Sequence, residues 1–234
     1  MKKETFDIGQ KHCTVIRQED AKVLLLQPVD DHDLEVLDQE AQALASMVSD
    51  PFLLAAFQVD DWNKDLSPWK APAVFGSQDF GDGAQETLRF VQEEMLPGLL
   101  QRYGMGEETP VILGGYSLAA FFSLWSVYQT DRFSGAAAAS PSVWFPGWTG
   151  YAETHQPMAG CIYLSLGKKE EKTKNKTMAL VGSCIRTQQA ILEEQNIKHI
   201  LEWNEGNHFT EPDIRCAKGF AWCMDAVRCR TERQ

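Results

Sequence analysis

The fold is decided by the segment Val111-Ile112-Leu113-Gly114-Gly115-Tyr116-Ser117-Leu118-Ala119-Ala120, which predicts a strand, a sharp turn and the start of a helix. A short apolar run ends in two glycines and a serine, and an amphipathic run follows over residues 118–128. A turn of this kind strains the backbone of Ser117 and projects its hydroxyl outward. The strand and helix backbones pass close together there, so the flanking positions must be small, as Gly115 and Ala119 are. The pattern is a nucleophile elbow with alanine in its last position.

The predicted helix would point its free N–H groups and the positive end of its dipole at Ser117. The backbone N–H of Leu118 is therefore a candidate donor to an oxyanion. The same residues also fit a glycine-rich turn between a core strand and a core helix, and short matches of this kind occur by chance. The catalytic interpretation needs an acid and a histidine at suitable places further along the chain.

Length and composition are typical of one globular α/β domain spanning residues 1–234. The chain has 234 residues, of which 44% are hydrophobic and 24% charged. No run of about eighteen apolar residues is present, so no membrane span is expected. Residues 1–5 lack an apolar signal region, which predicts a cytoplasmic protein whose six cysteines are thiols rather than disulfides. The net charge of −11 argues against binding to nucleic acid or to anionic membranes.

Strand-like and helix-like segments alternate along most of the chain. The predicted strands are 13–17, 22–26, 52–59, 111–113, 133–139, 160–166 and 197–203. The predicted helices are 33–48, 84–102, 118–128, 178–192 and 214–227. Pro97 predicts a kink or an early end in the second of these helices. The alternation indicates a mostly parallel sheet with helices on both faces.

Three residues with complementary chemistry follow predicted strands, where the functional groups of such sheets gather. Ser117 follows the strand at 111–113, Glu170 or Glu171 follows the strand at 160–166, and His208 follows the strand at 197–203. In this interpretation the histidine takes the proton of the serine, and the carboxylate orients the imidazole. Glu170 is preferred because it lies nearer the strand end. Each residue also has a simpler interpretation, since the acids lie in a charge run and the histidine could merely cap a helix.

A second oxyanion donor is expected just after the run Leu24-Leu25-Leu26. Pro28 has no N–H, so Val29 or Asp30 is the candidate. No metal-ligand spacing and no phosphate-binding glycine motif is present, so neither a metal nor a cofactor is expected. The long irregular stretch at 60–83 predicts either a pocket wall or a surface excursion.

Five segments together resemble the putative serine esterases of the α/β-hydrolase fold, a group that includes esterase D, feruloyl esterases and enterochelin-type esterases. They are Gly114–Ala119, Asp65–Pro68, Ser140–Trp144, Gly167–Glu170 and Gly206–Phe209, in matching order. The resemblance implies that Ser117 is the nucleophile and His208 the base, with Asp65–Pro68 and Ser142–Trp144 near the substrate. The N-terminal part of the chain is short for this group, and the choice of acid stays open.

The sequence thus predicts a hydrolase that cleaves small-molecule carboxylic esters through an acyl-serine. The alternatives are an acyltransferase that uses the same nucleophile and a binding protein that has kept only the fold. Loop tryptophans either line an aromatic pocket or pack the loops. The candidate pocket residues are Trp62, Asp65, Ser67, Trp69, Tyr116, Ser142 and Trp144.

Overall fold

The computed structural model describes residues 1–231, which are built around one eight-stranded sheet. The strands are β1 (Lys2–Ile8), β2 (Lys11–Arg17), β3 (Val23–Val29), β4 (Phe52–Gln58), β5 (Val111–Tyr116), β6 (Gly135–Ala139), β7 (Cys161–Gly167) and β8 (Lys198–Asn204). Their spatial order is β1-β2-β4-β3-β5-β6-β7-β8. The first two pairings, β1 with β2 and β2 with β4, are antiparallel, and all the others are parallel.

Helices connect the parallel strands. They are α1 (Asp31–Met47), α2 (Trp62–Asp65), α3 (Ala84–Phe90), α4 (Leu96–Tyr103), α5 (Ser117–Ser126), α6 (Trp148–Thr154), α7 (Val181–Glu194) and α8 (Pro212–Thr231). Single 3₁₀ turns at Glu170–Lys172 and Met178–Leu180 lie between β7 and α7.

The sheet separates two hydrophobic layers. On one face α1 and α8 pack together, through residues such as Leu44 and Phe220. On the other face α3 to α7 bury a larger layer that contains Leu99, Phe121 and Ile185. The predicted α/β class, with a mostly parallel sheet covered on both faces, is confirmed.

The N-terminal strands differ from the sequence prediction. The strand β1 was not predicted, because its first four residues, Lys2–Thr5, are all polar and it forms a half-exposed hairpin arm at the sheet edge. The first two predicted strands, 13–17 and 22–26, form β2 and β3, but they do not pair with each other as an opening pair would. The strand β4 lies between β2 and β3.

The predicted kink at Pro97 takes the form of a π turn. Residues Val91–Met95 form this turn between α3 and α4, and Pro97 lies in the first turn of α4. Proline has no N–H to donate, so a proline-containing segment is best placed at the beginning of a helix. The short helix α6 was also not predicted. No helix within residues 1–231 is long and apolar enough to cross a membrane.

Candidate active site

The turn between β5 and α5 holds Ser117 in a left-handed backbone conformation, with φ of 57°. Such a conformation is uncommon for a residue with a side chain and is stored at functional turns. Gly115 makes the turn possible. Its φ is 142°, and a Cβ added there would lie 2.8 Å from the Cβ of Ala119. The close approach explains why both positions are small.

The imidazole of His208 bridges the hydroxyl of Ser117 and the carboxylate of Glu170. His208 Nε2 lies 3.0 Å from Ser117 Oγ, and His208 Nδ1 lies 2.8 Å from Glu170 Oε2. An ionised carboxylate only accepts hydrogen bonds, so the contact assigns the ring proton to Nδ1. The lone pair of Nε2 is then left to accept the hydroxyl proton of Ser117.

Glu170 is 8% exposed, and several donors surround its carboxylate. Its Oε1 accepts from the backbone N–H of Gly167 (2.7 Å) and from the hydroxyl of Ser140 (2.9 Å). Burial by itself would raise the pKa of this carboxyl, but the hydrogen bonds from His208, Gly167 and Ser140 hold that pKa below its usual range. The group is therefore an anion at neutral pH.

The neighbouring acid, Glu171, points elsewhere. Its Oε2 lies 3.3 Å from Arg186 Nη1, and the pair is partly exposed. Of the two candidate acids, Glu170 is the one that contacts His208.

A buried arginine that the sequence interpretation missed joins the parts of the site. Arg215 is 2% exposed, and its Nη1 donates to Glu170 Oε1 at 2.9 Å and to the hydroxyl oxygen of Tyr116 at 3.0 Å. Its Nη2 donates to the carbonyls of Glu205 (2.8 Å) and Asn207 (3.0 Å), in the loop that carries the imidazole. One guanidinium therefore fixes both the acid and the histidine loop. In the sequence Arg215 is one charged residue of the helix predicted at 214–227, and the pattern gives no signal of its burial.

Tyr116 ties the serine turn to the histidine loop. Its hydroxyl donates to the backbone carbonyl of His208 at 2.8 Å, and the two rings pack with centroids 5.1 Å apart. Burial, followed by the nearby charge of Glu170, raises the pKa of Tyr116, so the phenol keeps the proton that it donates. The sequence predicted Tyr116 as a pocket residue. In the structure its side chain contacts His208 and Arg215.

The loop after β6 lies against the serine turn. The backbone N–H of Ser142 donates to the carbonyl of Ser117 at 3.1 Å, and Ser140 precedes it with a φ of 47°. Leu118 is the second residue of α5, where helix geometry leaves N–H groups without an intrahelical acceptor. Val29 ends β3, buried, and its carbonyl accepts from Val59 N at 3.4 Å. A donor role for the Val29 N–H stays a prediction.

The other predicted pocket residues have contacts within the loops. Trp69 Nε1 donates to the Pro146 carbonyl at 2.7 Å. Asp65 Oδ2 lies 3.6 Å from Lys11 Nζ, Trp62 packs against the core, and Ser67 is fully buried. These contacts fit loop packing, and a role for the four residues in the pocket stays a prediction.

Two exposed aromatic rings lie near the site. Phe209 is 87% exposed, and its ring centroid is 5.6 Å from that of His208. Phe75 packs edge-on against Trp144, with ring centroids 6.4 Å apart, and Trp144 is two residues beyond Ser142, whose backbone N–H donates to Ser117. Phe209 and Phe75 were not among the predicted pocket residues. Over the described part of the chain, no cluster of His, Cys, Asp and Glu has the arrangement of a metal site.

Comparison with solved structures identifies the architecture. The IroE-like serine hydrolase of Shewanella oneidensis superposes with a TM-score of 0.75 at 12% identity, over 94% of this chain and 79% of that one. The siderophore hydrolase EstB of Aspergillus nidulans gives 0.72 at 15% identity, over 94% and 93%. The BES protein of Bacillus cereus gives 0.66 at 13% identity, over 95% of each chain. The fold is that of the α/β hydrolases. No family model and no curated protein matches the sequence.

The order of the three contacting residues agrees with that fold. In α/β hydrolases the nucleophile, the acid and the histidine follow one another along the chain. Here Ser117 follows β5, Glu170 follows β7 and His208 follows β8, all at the carboxyl ends of parallel strands. The arrangement can activate a hydroxyl for attack on an electrophilic carbon.

Proposed function

We propose that this chain is a serine hydrolase that cleaves small-molecule carboxylic esters through an acyl-Ser117 intermediate. The observation that carries the proposal is the unbroken hydrogen-bond path from Ser117 Oγ through His208 to Glu170, at 3.0 and 2.8 Å. The path begins at a left-handed elbow that leaves the hydroxyl at the start of α5. The structurally similar proteins named as serine and siderophore hydrolases support ester hydrolysis as the reaction class.

The first half of the reaction forms the acyl-enzyme. Ser117 Oγ attacks the ester carbonyl carbon while its proton passes to His208 Nε2, and the carbonyl π electrons move onto oxygen. The Leu118 N–H donates to that oxyanion, and the Val29 N–H is the candidate for a second donor. The oxyanion then re-forms the carbonyl, the C–O bond to the alcohol breaks, and His208 gives its proton to the leaving oxygen.

The second half releases the acid. A water molecule loses a proton to His208 Nε2 and attacks the acyl carbon, and the Ser117–carbon bond breaks as the imidazolium returns its proton to Oγ. The Glu170 carboxylate stabilises the imidazolium in both halves without accepting its proton. The low pKa of Glu170 suits this role, because the carboxylate stays charged throughout.

Hydrolysis of a short para-nitrophenyl ester tests the proposal. The purified protein is expected to release para-nitrophenol, whereas Ser117→Ala and His208→Ala are expected to lose at least about 10³-fold in kcat. A fluorophosphonate should label the native chain at Ser117 and leave Ser117→Ala unlabelled. An active Ser117→Ala protein would rule the mechanism out. Failure of the native chain to react with either reagent would instead favour a binding protein.

Product analysis shows whether the acyl group passes to water or to another acceptor. Hydrolysis gives only the free acid in the presence of added alcohol or thiol, whereas acyl transfer gives the new ester or thioester. The free acid is the expected product.

A further inference from the structure

The strand β8 leaves one edge of the sheet open. It is the last strand in the spatial order, and β7 is its neighbour on the inner side. On the outer side, no strand within residues 1–231 pairs with it. An open edge offers backbone N–H and C=O groups to another chain, and proteins usually protect such an edge with charged side chains or a bulge.

The pairing with β7 shows which backbone groups of β8 face outward. The carbonyl of Asn204 accepts from the backbone N–H of Lys168 at 2.9 Å, so the backbone groups of Asn204 face β7. Because these groups alternate in direction along a strand, every second residue before Asn204 faces β7 as well. The residues between them turn their N–H and C=O groups outward. They are His199, Leu201 and Trp203.

The edge strand β8 also carries an exposed apolar side chain. Ile200 is 37% exposed, and among the exposed large apolar residues of the described chain it is the one that lies in a strand. The exposed positions of β1, at the opposite edge of the sheet, are all polar. They are Lys2, Lys3, Thr5 and Asp7. The edge at β1 therefore has the usual polar protection, and the edge at β8 has an apolar residue at its centre.

The charges of β8 are placed symmetrically about Ile200. Lys198 and Glu202 lie two residues before and after it, so all three side chains project from one face of the sheet. If two β8 strands pair antiparallel about Ile200, each Lys198 lies opposite the Glu202 of the other copy. The two Ile200 side chains then meet at the two-fold axis. Centring the pair on Lys198 or on Glu202 would instead place like charges opposite each other, which is unfavourable.

The same register suits the backbone. It places His199 opposite Leu201 of the other copy, and both residues turn their N–H and C=O groups outward. Each such pair can therefore exchange two hydrogen bonds. Ile200 occupies a pair without hydrogen bonds, where opposite side chains approach most closely.

Glu202 can accept a further cation. Its Oε1 lies 2.6 Å from Lys218 Nζ, and its Oε2 accepts from the Tyr163 hydroxyl at 2.8 Å. The Glu202 side chain is partly exposed, and a carboxylate has about four acceptor positions. Lys198 is exposed, and its Nζ lies 5.8 Å from the centroid of the Trp222 ring. A contact between Lys198 of one copy and Glu202 of the other leaves the bonds of Glu202 in place.

We propose that the protein forms a homodimer by antiparallel pairing of two β8 strands about Ile200, which joins the two sheets into one. The contact of a single strand pair is small, so the association is concentration-dependent, with a Kd on the order of 10 µM. The inference does not rest on the proposed function, because each copy keeps its own Ser117, Glu170 and His208.

Charge-reversal variants test the pairing, with sedimentation equilibrium as the measurement of mass. Lys198→Glu and Glu202→Lys each place like charges opposite one another, so each should raise the dimer Kd at least about tenfold. An equimolar mixture of the two variants should associate with close to native affinity, because the glutamates of one chain then face the lysines of the other. Lys3→Glu, on β1, should keep the native Kd.

A cross-link tests the register. In Ile200→Cys the two new thiols lie opposite each other at the axis, about 4.5 Å apart between Cα atoms, which is within the range of a disulfide. Oxidised glutathione, which is reduced as the thiols lose their protons and join, should convert this variant to a covalent dimer. Leu201→Cys faces His199 of the other copy and should remain a monomer on a non-reducing gel, as should the native chain.

Several results would overturn the inference. They are a native protein that stays monomeric at about 500 µM, single charge variants that dimerise like the native protein, and equal cross-linking of the two cysteine variants. Loss of the dimer in Lys3→Glu alone would place the contact at β1 and would also overturn it. Thermal unfolding checks that each variant folds. Misfolding cannot produce the expected pattern, because two misfolded chains would not restore the dimer when mixed, and a mixture of folded variants that stays monomeric would contradict the pairing.

Discussion

Arg215 donates to Glu170 across 2.9 Å, on the carboxylate oxygen opposite the one that contacts His208. Both side chains are nearly removed from solvent. The carboxylate of Glu170 thus contacts both Arg215, which is always charged, and His208, whose charge changes during the proposed reaction. The arginine moderates how strongly the carboxylate attracts a proton onto the imidazole, because its positive charge offsets part of the negative charge of Glu170.

Replacing Arg215 with Gln should weaken both the fold and the reaction. The change leaves Glu170 as a buried anion without its fixed partner, which costs on the order of 3–5 kcal/mol of unfolding free energy. The acid limb of the pH profile of kcat/KM should also move to higher pH, because the uncompensated carboxylate stabilises the imidazolium. Urea unfolding and steady-state kinetics measure the two effects.

Lys at the same position gives a further test of the role of Arg215. Arg215→Lys keeps the charge but loses the fork that binds the two loop carbonyls, so its pH profile should stay closer to native than that of Arg215→Gln. Arg228→Gln removes an exposed arginine from the same helix and should behave like the native protein. A purely structural role for Arg215 would leave the pH limb where it is in every variant that folds.

The two neighbouring glutamates should respond differently to neutralisation. Glu170→Gln removes the charge that orients His208 and is expected to reduce kcat by roughly 10³-fold. Glu171→Gln breaks only a partly exposed pair with Arg186, and its kcat should stay within about twofold of native. Parallel assays with one para-nitrophenyl ester compare them. Equal losses in the two variants would contradict the assignment of Glu170 as the acid.

Gly115→Ala should lower the unfolding free energy more than Gly76→Ala, a control at another glycine with positive φ. At Gly115 a Cβ would lie 2.8 Å from the Cβ of Ala119, whereas at Gly76, with φ of 64°, no atom lies within 4 Å of it. Gly76→Ala should therefore cost only the conformational penalty, about 1–2 kcal/mol. Gly115→Ala adds a steric overlap, so it should lower the unfolding free energy by more and abolish esterase activity. Thermal unfolding and the ester assay measure both outcomes, and equal destabilisation of the two variants would contradict the proposed close packing.

A buried acid on α1 should make the protein lose stability as the pH rises through neutrality. Glu40 is 4% exposed, and its Oε2 accepts from Gln27 at 3.0 Å. Burial, with a smaller contribution from the charges of Asp33 and Asp213, raises the pKa of Glu40 to about 8. The folded state therefore holds a proton that the unfolded state has already lost between about pH 4.5 and 8, so stability falls with pH across that window.

Glu40→Gln keeps the shape of the protonated acid and should remove the contribution of Glu40 to this dependence, whereas Asp33, whose pKa burial raises to about 7, keeps its own. The variant is expected to gain on the order of 3–4 kcal/mol relative to the native protein on going from pH 5 to 8. Glu35→Gln, on the exposed side of the same helix, should leave the slope unchanged. Urea unfolding at several pH values measures the slope. A native protein whose unfolding free energy is flat between pH 5 and 8 would contradict the prediction.

The sequence predicts the parts of this molecule that depend on local pattern. Glycines and a serine after an apolar run predict the turn at Ser117, and the alternation of strands and helices predicts the sheet. Because parallel strands end at the same edge, the order of Ser117, Glu170 and His208 along the chain was enough to propose that they meet.

The sequence did not predict the contacts that depend on tertiary packing. Arg215 reads as one charged residue on a helix, and only the packing of α8 against the sheet brings it to Glu170. The strand β1 lacks an apolar run because one side of its hairpin faces solvent. The exposure of Phe209 depends on the path of its loop, which the sequence leaves open.

The Tyr116 hydroxyl bond to the His208 carbonyl makes the nucleophile turn and the histidine loop move as one body. The same phenol accepts a hydrogen bond from Arg215, which also donates to Glu170. Ser117, Glu170 and His208 are therefore held by one hydrogen-bond network. Segments outside that network, the 60–83 loop and the stretch beyond Glu170, are therefore the ones that can change to fit larger or smaller ligands. Specificity in this protein can thus diverge without disturbing the alignment of the reacting atoms.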